Sequence, residues 1–187
     1  MGAKGNGERQ AEGESPDPRL VPSPATTPTD DDLLFAGRWS ATLDDKGRIV
    51  IPAKVRETIE GSGQHLSFFL GRGPSKNLNF DPVRCLVLYD RRNFGRVRSR
   101  VAEKLPQNDP ARQDFERVFY PFLEMVDCDK AGRIMISDEL RKYAGIEREV
   151  LIAGANQRIE IWNPATWNRV LDSMDVSGFE EVARSAF

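Results

Sequence analysis

The sequence predicts an α+β fold with internal pseudo-twofold symmetry, and three observations predict it. First, the stretch LDDKGRIVIPAKVRE (43–57) has a second version, CDKAGRIMISDELR (128–141). Setting Gly47 on Gly132, an offset of 85, places Asp44 on Asp129, Arg48 on Arg133, Ile49 on Ile134, Ile51 on Ile136, Val55 on Leu140 and Arg56 on Arg141. Second, CLVLYDRRNF (85–94) and RIEIWNPATW (158–167) match at an offset of 73. Each gives a strand, an aromatic residue, a helix cap and a further aromatic four residues past the cap. Third, apolar alternation gives way to three- and four-residue spacing in the same order in both halves, which is the signature of strands followed by helices.

The elements follow in order. Phe35 to Thr42 reads as a strand entering a turn at Asp44, where Gly47 supplies the positive φ of a tight hairpin. Arg48 to Ile51 continues with Ile49 and Ile51 on one face and Val50 on the other. Pro52 suits the first position of a helix carrying Val55 and Ile59 and ending near Gly61. Strands at His65–Leu70 and Cys85–Tyr89 flank a polar loop, GRGPSKNLNFDPVR (71–84). Asp90 caps a helix with Phe94, Val97, Val101 and Leu105 on its apolar stripe. Asp109-Pro110 starts another, with Phe115, Val118, Phe119 and Phe122 expected as its buried side. The second unit repeats the plan: a strand at Leu123–Val126, a turn at Ala131-Gly132-Arg133, a helix capped by Ser137 and stopped by Gly145, and strands at Val150–Ala153 and Arg158–Trp162. A last helix opens at Asn163-Pro164 with Trp167, Val170, Leu171 and Met174 inward. The organisation expected is thus a disordered tail (1–34), a first repeat (35–90), connecting helices (91–122), a second repeat (123–171) and a weakly ordered C-terminal tail (172–187).

Composition narrows the class. Residues 1–32 are rich in Gly, Pro, Ser, Thr and Asp, and too poor in apolar residues to offset the entropy of ordering them. No stretch has the length or polarity of a signal peptide, a myristoylation signal or a membrane span, so the chain reads as soluble and cytoplasmic. Formal charge is −2 overall, but the residues up to Leu34 carry −4 and the remainder +2. That balance neither requires nor excludes a polyanion partner, which must be argued from local clusters. Two cysteines, Cys85 and Cys128, and one histidine, His65, speak against a disulfide framework, a metal site or a nucleophile–base pair. GRGPSKN lacks the spacing of a phosphate-binding loop, so no cofactor and no small-molecule substrate are expected.

The paired turns DDKGR (44–48) and DKAGR (129–133), each followed by an Ile-x-Ile strand and a short helix ending in Arg56 or Arg141, resemble the MraZ family of bacterial transcriptional regulators. KYAGI (142–146) and RIEIW (158–162) carry the same resemblance, which spans about residues 35–171. It implies two AbrB-like swapped-hairpin repeats forming one pseudo-twofold, β-barrel-like core with flanking helices. It also implies a ring-shaped homo-oligomer, nucleoid-associated, that binds double-stranded DNA at short direct repeats upstream of the division and cell-wall gene cluster, most simply as a repressor. Carried onto this sequence, Lys46, Arg48 and Arg133 would face the DNA, with Asp44, Gly47, Asp129 and Gly132 shaping the turns. Ala131 offers no cation where Lys46 does, and Ser137 stands where a Pro is common.

The residues have their own chemistry. A guanidinium at a turn can fork onto a phosphate or onto the O6 and N7 of a guanine, while a turn lysine suits a phosphate. Each Arg could equally pair with its own Asp44 or Asp129 and brace the hairpin, and the two roles are compatible. The segment 84–104 holds seven cations against two acids, which reads as a solvated or assembly face, or as an auxiliary phosphate contact. Trp39, Trp162 and Trp167 fall on apolar positions and read as core or interface residues. The rival to DNA binding is a non-catalytic assembly module that binds a protein partner.

Overall fold

Two strands far apart in sequence, each only three residues long, pair with one another at the centre of the molecule. The structure, a computed structural model, describes residues 34–61, 65–73, 76–78, 81–174 and 176–186, so the tail expected over 1–34 lies outside it except for Leu34. In chain order the elements are β1 (Arg38–Thr42), β2 (Arg48–Val50), α1 (Ala53–Gly61), β3 (Ser67–Arg72), β4 (Lys76–Leu78), β5 (Asp81–Val83), β6 (Leu86–Asp90), α2 (Arg91–Lys104) and α3 (Pro110–Phe119). A 3-10 turn (Tyr120–Phe122) leads to β7 (Glu124–Asp127), β8 (Arg133–Met135), α4 (Asp138–Ala144), β9 (Glu149–Gly154), β10 (Ile159–Trp162), α5 (Pro164–Asp172) and α6 (Val176–Ala186). The class is α+β, with every strand pair antiparallel.

Six strands form one sheet in the order β1-β9-β10-β6-β3-β7, and β2 pairs with β8 as a separate ribbon. The order reads the same from either end once β1 is matched with β7, β9 with β3 and β10 with β6. Register follows the same rule. In the β10–β6 ladder Glu160 faces Val87, flanked by Ile159 on Leu88 and Ile161 on Leu86, so residues related by the 73-residue offset exchange places. In the ribbon Ile49 faces Ile134, with Arg48 on Met135 and Val50 on Arg133, exchanging places under the 85-residue offset. Each half's entry strand lies on the other half's sheet strand, β1 on β9 and β7 on β3.

The sheet is open at β1 and β7, which corrects the expected barrel-like core. Closure needs strands long enough to tilt and stagger round an axis, and strands of four to six residues leave that task to the ribbon. Ile49 and Ile134 turn inward and join Leu70, Leu88, Ile152, Ile159 and Ile161 in one buried cluster. Helices α1 and α4 contribute matched pairs to it, Val55 and Ile59 from one and Leu140 and Ala144 from the other.

Caps fall where the sequence places them. Asp90 accepts from the Arg92 and Asn93 amides at 2.8 and 3.1 Å, and Asn163 accepts from Ala165 and Thr166 at 2.9 and 3.1 Å. Gly145, at φ +63°, donates to the Lys142 carbonyl and Ile146 donates to that of Arg141, closing α4.

Four expectations fail. The 71–84 loop contains a hairpin, with Lys76 of β4 opposite Val83 of β5. No residue of α3 is buried: Phe115 and Phe119 stack on each other at 5.0 Å while Val118 is 65% exposed. On α5 Val170 is buried beside Trp167, but Leu171 is exposed, as is Met174 two residues beyond the end of the helix. Finally, the tail expected to be loose contains α6, on which Phe179 and Val182 are exposed. Both cysteines are free thiols, and burial pushes Cys85 up to about 12 and Cys128 up to about 11, so neither is a ready nucleophile.

Ile49→Ala and Ile134→Ala truncate equivalent, fully buried side chains, and each is expected to cost about 2–5 kcal/mol. Val50→Ala, on the outer face, is expected to cost less than about 1 kcal/mol. Urea midpoints at constant slope check the contrast. A methyl added at Gly154 would sit 2.6–2.7 Å from the Phe35 and Ala36 backbone, which cannot yield as a side chain could. Gly154→Ala is therefore expected to break the reciprocal Phe35–Asn156 hydrogen bonds, now 2.7 and 3.1 Å, and hydrogen exchange at those two amides reads it.

Candidate nucleic-acid interface

The two Asp-x-x-x-Arg turns have one geometry. In the first, the Gly47 amide donates to the Asp44 carbonyl and the Asp44 amide to that of Arg48, both at 2.9 Å. The Asp44 carboxylate then accepts the Lys46 and Arg48 amides on Oδ1, at 3.0 and 2.9 Å. Its Oδ2 takes Arg48 Nε at 2.8 Å and Nη2 at 2.7 Å. In the second, Asp129 Oδ1 accepts the Ala131 and Arg133 amides at 2.9 and 3.0 Å, and Oδ2 takes Arg133 Nε and Nη2, both at 2.8 Å. One short acidic side chain thus folds the turn and holds the guanidinium that follows it.

The charge pairing is visible in the acid–base balance. The side-chain hydrogen bond from Arg48, then its backbone amide, hold Asp44 down at about 2. Arg133 lowers Asp129 in the same way, and Asp44 in turn raises Arg48.

Each turn is also locked by the opposite half. The Gly132 carbonyl accepts from the Ile51 amide and the Gly47 carbonyl from the Ile136 amide, both at 2.9 Å. Gly47 and Gly132 have φ of +76° and +73°. A Cβ at Gly132 would fall 2.7 Å from Arg56 Nε, and one at Gly47 3.2 Å from the Ile136 carbonyl and 3.5 Å from Arg141. Arg56 also donates from Nε to the Ile51 carbonyl at 3.2 Å, and Arg141 pairs with Asp138. These two arginines therefore back the turns across the pseudo-twofold relation. Their match at the 85-residue offset was the signal for a shared role that sequence reasoning left unassigned.

The expected site residues come together on one face. Arg48 Nη1 lies 3.8 Å from Asp129 Oδ2, so the first turn reaches the second. Period-two alternation puts Arg48, Val50, Arg133 and Met135 on the outer side of the ribbon, away from Ile49 and Ile134. The side chains of Arg48 and Arg133 keep 25% and 34% of their surface exposed, neither walled off nor on opposite sides. Lys46 is exposed at the first turn's tip. Sequence reasoning missed Lys130, also exposed, which puts a cation one position earlier in the second turn, where Asp45 stands in the first. On the basic helix α2, Arg100 bonds Gln157 at 2.8 Å. Among the described residues no group of His, Cys, Asp and Glu could hold a metal ion, and no helix is long and apolar enough to cross a membrane.

Residues 124–187 match a family model described as MraZ protein, putative antitoxin-like. A "Transcriptional regulator MraZ" of Thermomicrobium roseum is 37% identical over 134 residues, 72% of this chain and 84% of its own length. That of Arthrobacter sp. is 37% identical over 144 residues, covering 77% and 92%, and that of Clavibacter michiganensis subsp. michiganensis 35% over 150, covering 80% and 94%. The solution structure of PHS018 from Pyrococcus horikoshii shares 16% identity over 67% of this chain and 96% of its own, at a TM-score of 0.29, and carries no weight for the fold. Relatives at 35–37% identity that span most of both lengths place the chain in the MraZ family of transcriptional regulators.

Proposed function

We propose that this chain regulates transcription by binding double-stranded DNA through its two Asp-x-x-x-Arg turns. In this reading the halves are AbrB-like swapped-hairpin repeats, and the strand order that reads alike from both ends supports it. The observation that carries the proposal is the shared outer face: two braced guanidinium groups leave one short ribbon in the same direction. Each Arg spends Nε and one Nη2 hydrogen on its own carboxylate, and the Nη1 of Arg48 lies 3.8 Å from Asp129 Oδ2, beyond hydrogen-bond range, so donors remain on each guanidinium for phosphate or guanine. Lys46 and Lys130, at the turn tips, serve as phosphate contacts. Two such turns give few ionic contacts, so the chain acts as a ring-shaped homo-oligomer on short direct repeats, upstream of the division and cell-wall gene cluster, and as a repressor. Ring closure raises the effective concentration of each further turn over the next repeat.

Gel shifts across a salt series on duplexes selected from random sequence test this reading. Affinity should fall steeply with ionic strength, and Arg48→Ala or Arg133→Ala should each weaken binding by about ten- to a hundredfold while relaxing sequence preference. Lys46→Ala should weaken all sequences alike and lower the salt slope by about one. A protein that captures no duplex at any salt concentration defeats the proposal and leaves the protein-partner role standing.

The braces set a pH dependence. Asp44 is depressed from 3.8 to about 2 in the folded chain. Its contribution to stability is therefore present above pH 3.8 and lost as pH falls through about 2. Thermal melts should show wild type above Asp44→Asn at neutral pH, with the difference vanishing at the acid end of that window. A gap that stays constant through it would show that the carboxylate does not hold Arg48.

A further inference from the structure

The outer face of the β2–β8 ribbon carries four side chains, and the reading above uses only the two arginines. Arg48 faces Met135 across the ribbon and Val50 faces Arg133, so the arginines occupy one diagonal of the patch and Val50 and Met135 the other. Val50 is 49% exposed and Met135 48%. The two correspond at the 85-residue offset that relates the turns. Single exposed hydrophobes are ordinary on a protein surface, but a matched pair, each directly across from a braced guanidinium, needs a reason. Strand propensity accounts for a valine here and not for a methionine at the equivalent place. The core does not need them either, since Ile49 and Ile134 supply the ribbon's buried side.

What such a pair would meet on DNA follows from groove chemistry. In the major groove guanine offers O6 and N7 to a guanidinium, and thymine alone presents an apolar group, its 5-methyl. The minor groove offers only polar edges. A two-stranded ribbon fits the major groove, which is about 12 Å wide. The Arg48–Met135 and Val50–Arg133 rows are two strand residues apart, about 7 Å, which is close to two base-pair steps. Because the strands run antiparallel, the turns lie at opposite ends of the ribbon, and the exposed Lys46 and Lys130 flank the patch.

We infer that the ribbon itself enters the major groove and that Val50 and Met135 select thymine there, each closing on a 5-methyl group near the guanine met by the arginine across from it. The inference rests on DNA binding through the two turns and adds to it a second base that this chain selects. Valine is short, so its contact exists only where the ribbon backbone comes close to the base edges. Turns resting on the phosphate rim alone would leave Val50 out of reach of any base.

The test withdraws the methyl group and leaves the rest of the DNA unchanged. In a duplex selected from random sequence, each thymine in turn is replaced by deoxyuridine, which pairs alike and keeps O4 but lacks the 5-methyl. Binding of the full chain is followed by fluorescence anisotropy at one salt concentration. Uracil at thymines within about two base pairs of the required guanines is expected to weaken wild type about three- to fivefold at each, the effect of one methyl leaving an apolar contact. Val50→Ala should abolish that sensitivity at one set of positions and Met135→Ala at another. Both variants should keep the wild-type salt slope, since neither removes a charge, and circular dichroism should show both folded. Should either fail to fold, the uracil scan on wild type still decides, because it alters no residue of the protein. A wild type indifferent to uracil at every position, folded variants that keep full sensitivity, or a selected sequence with no thymine near its guanines overturns the inference and leaves DNA binding through Arg48 and Arg133 intact. Failure to hold the unmodified duplex defeats the DNA reading itself and this inference with it.

Discussion

Two backbone hydrogen bonds hold the rest in place: Ile51 to the Gly132 carbonyl and Ile136 to the Gly47 carbonyl. Through them each turn is finished by the opposite half. The arrangement favours a glycine at both turns, since the backbone is left-handed there, and at Gly132 Arg56 also fills the space a Cβ would need. It also fixes register. With Ile49 opposite Ile134, period-two alternation sends isoleucines inward and Arg48 and Arg133 outward, and a one-residue slip would bury the guanidinium groups and expose the core. The ribbon is thus core on one side and candidate site on the other, so the two arginines inherit the rigidity of the buried cluster.

A carboxylate beside each arginine looks ill suited to a surface meant for phosphate. An exposed ion pair contributes little to stability, so the benefit lies elsewhere. Asp44 accepts two backbone amides and a guanidinium at once, which fixes the turn and the direction of Arg48 with a single side chain. Immobilising a long side chain in advance removes an entropic cost that binding would otherwise meet. The consequence is weak net charge at each turn. DDKGR is neutral and DKAGR is +1, so neither turn by itself carries the charge that would hold a polyanion tightly.

Much of this was legible in the sequence because local chemistry decides it. Asp90, Asp109, Ser137 and Asn163 cap helices where their short acceptors lead apolar stripes, and Gly47, Gly132 and Gly145 sit at positive φ where turns demand it. The two sequence offsets also have a structural counterpart, since both reappear as exchanges of register. What failed depends on tertiary context. Phe115, Val118 and Phe119 have core-like spacing, yet α3 has no layer above it to bury them. The 71–84 hairpin has polar strands with no apolar alternation to announce it. The backing role of Arg56 and Arg141 needs the exchange of halves, which no single segment encodes. Lys130 escaped notice because alignment on Gly132 compares it with an acid, Asp45, and not with Lys46.

The internal symmetry also shows where the two halves diverge. Both halves run strand, helix, helix: β6, α2 and α3 in the first, β10, α5 and α6 in the second. Within one chain the paired halves already occupy the place of a twofold dimer, with β10 on β6 and β2 on β8 at the centre. The second helices are the clearest difference. In the first half Phe119 stacks towards Phe94, with ring centroids 6.5 Å apart, and an apolar groove is left beside the pair. In the second half α6 keeps its phenylalanine and valine outward. One plan of strand, helix and helix thus ends in two different surfaces, because α3 turns its phenylalanines towards α2 while α6 keeps Phe179 and Val182 exposed.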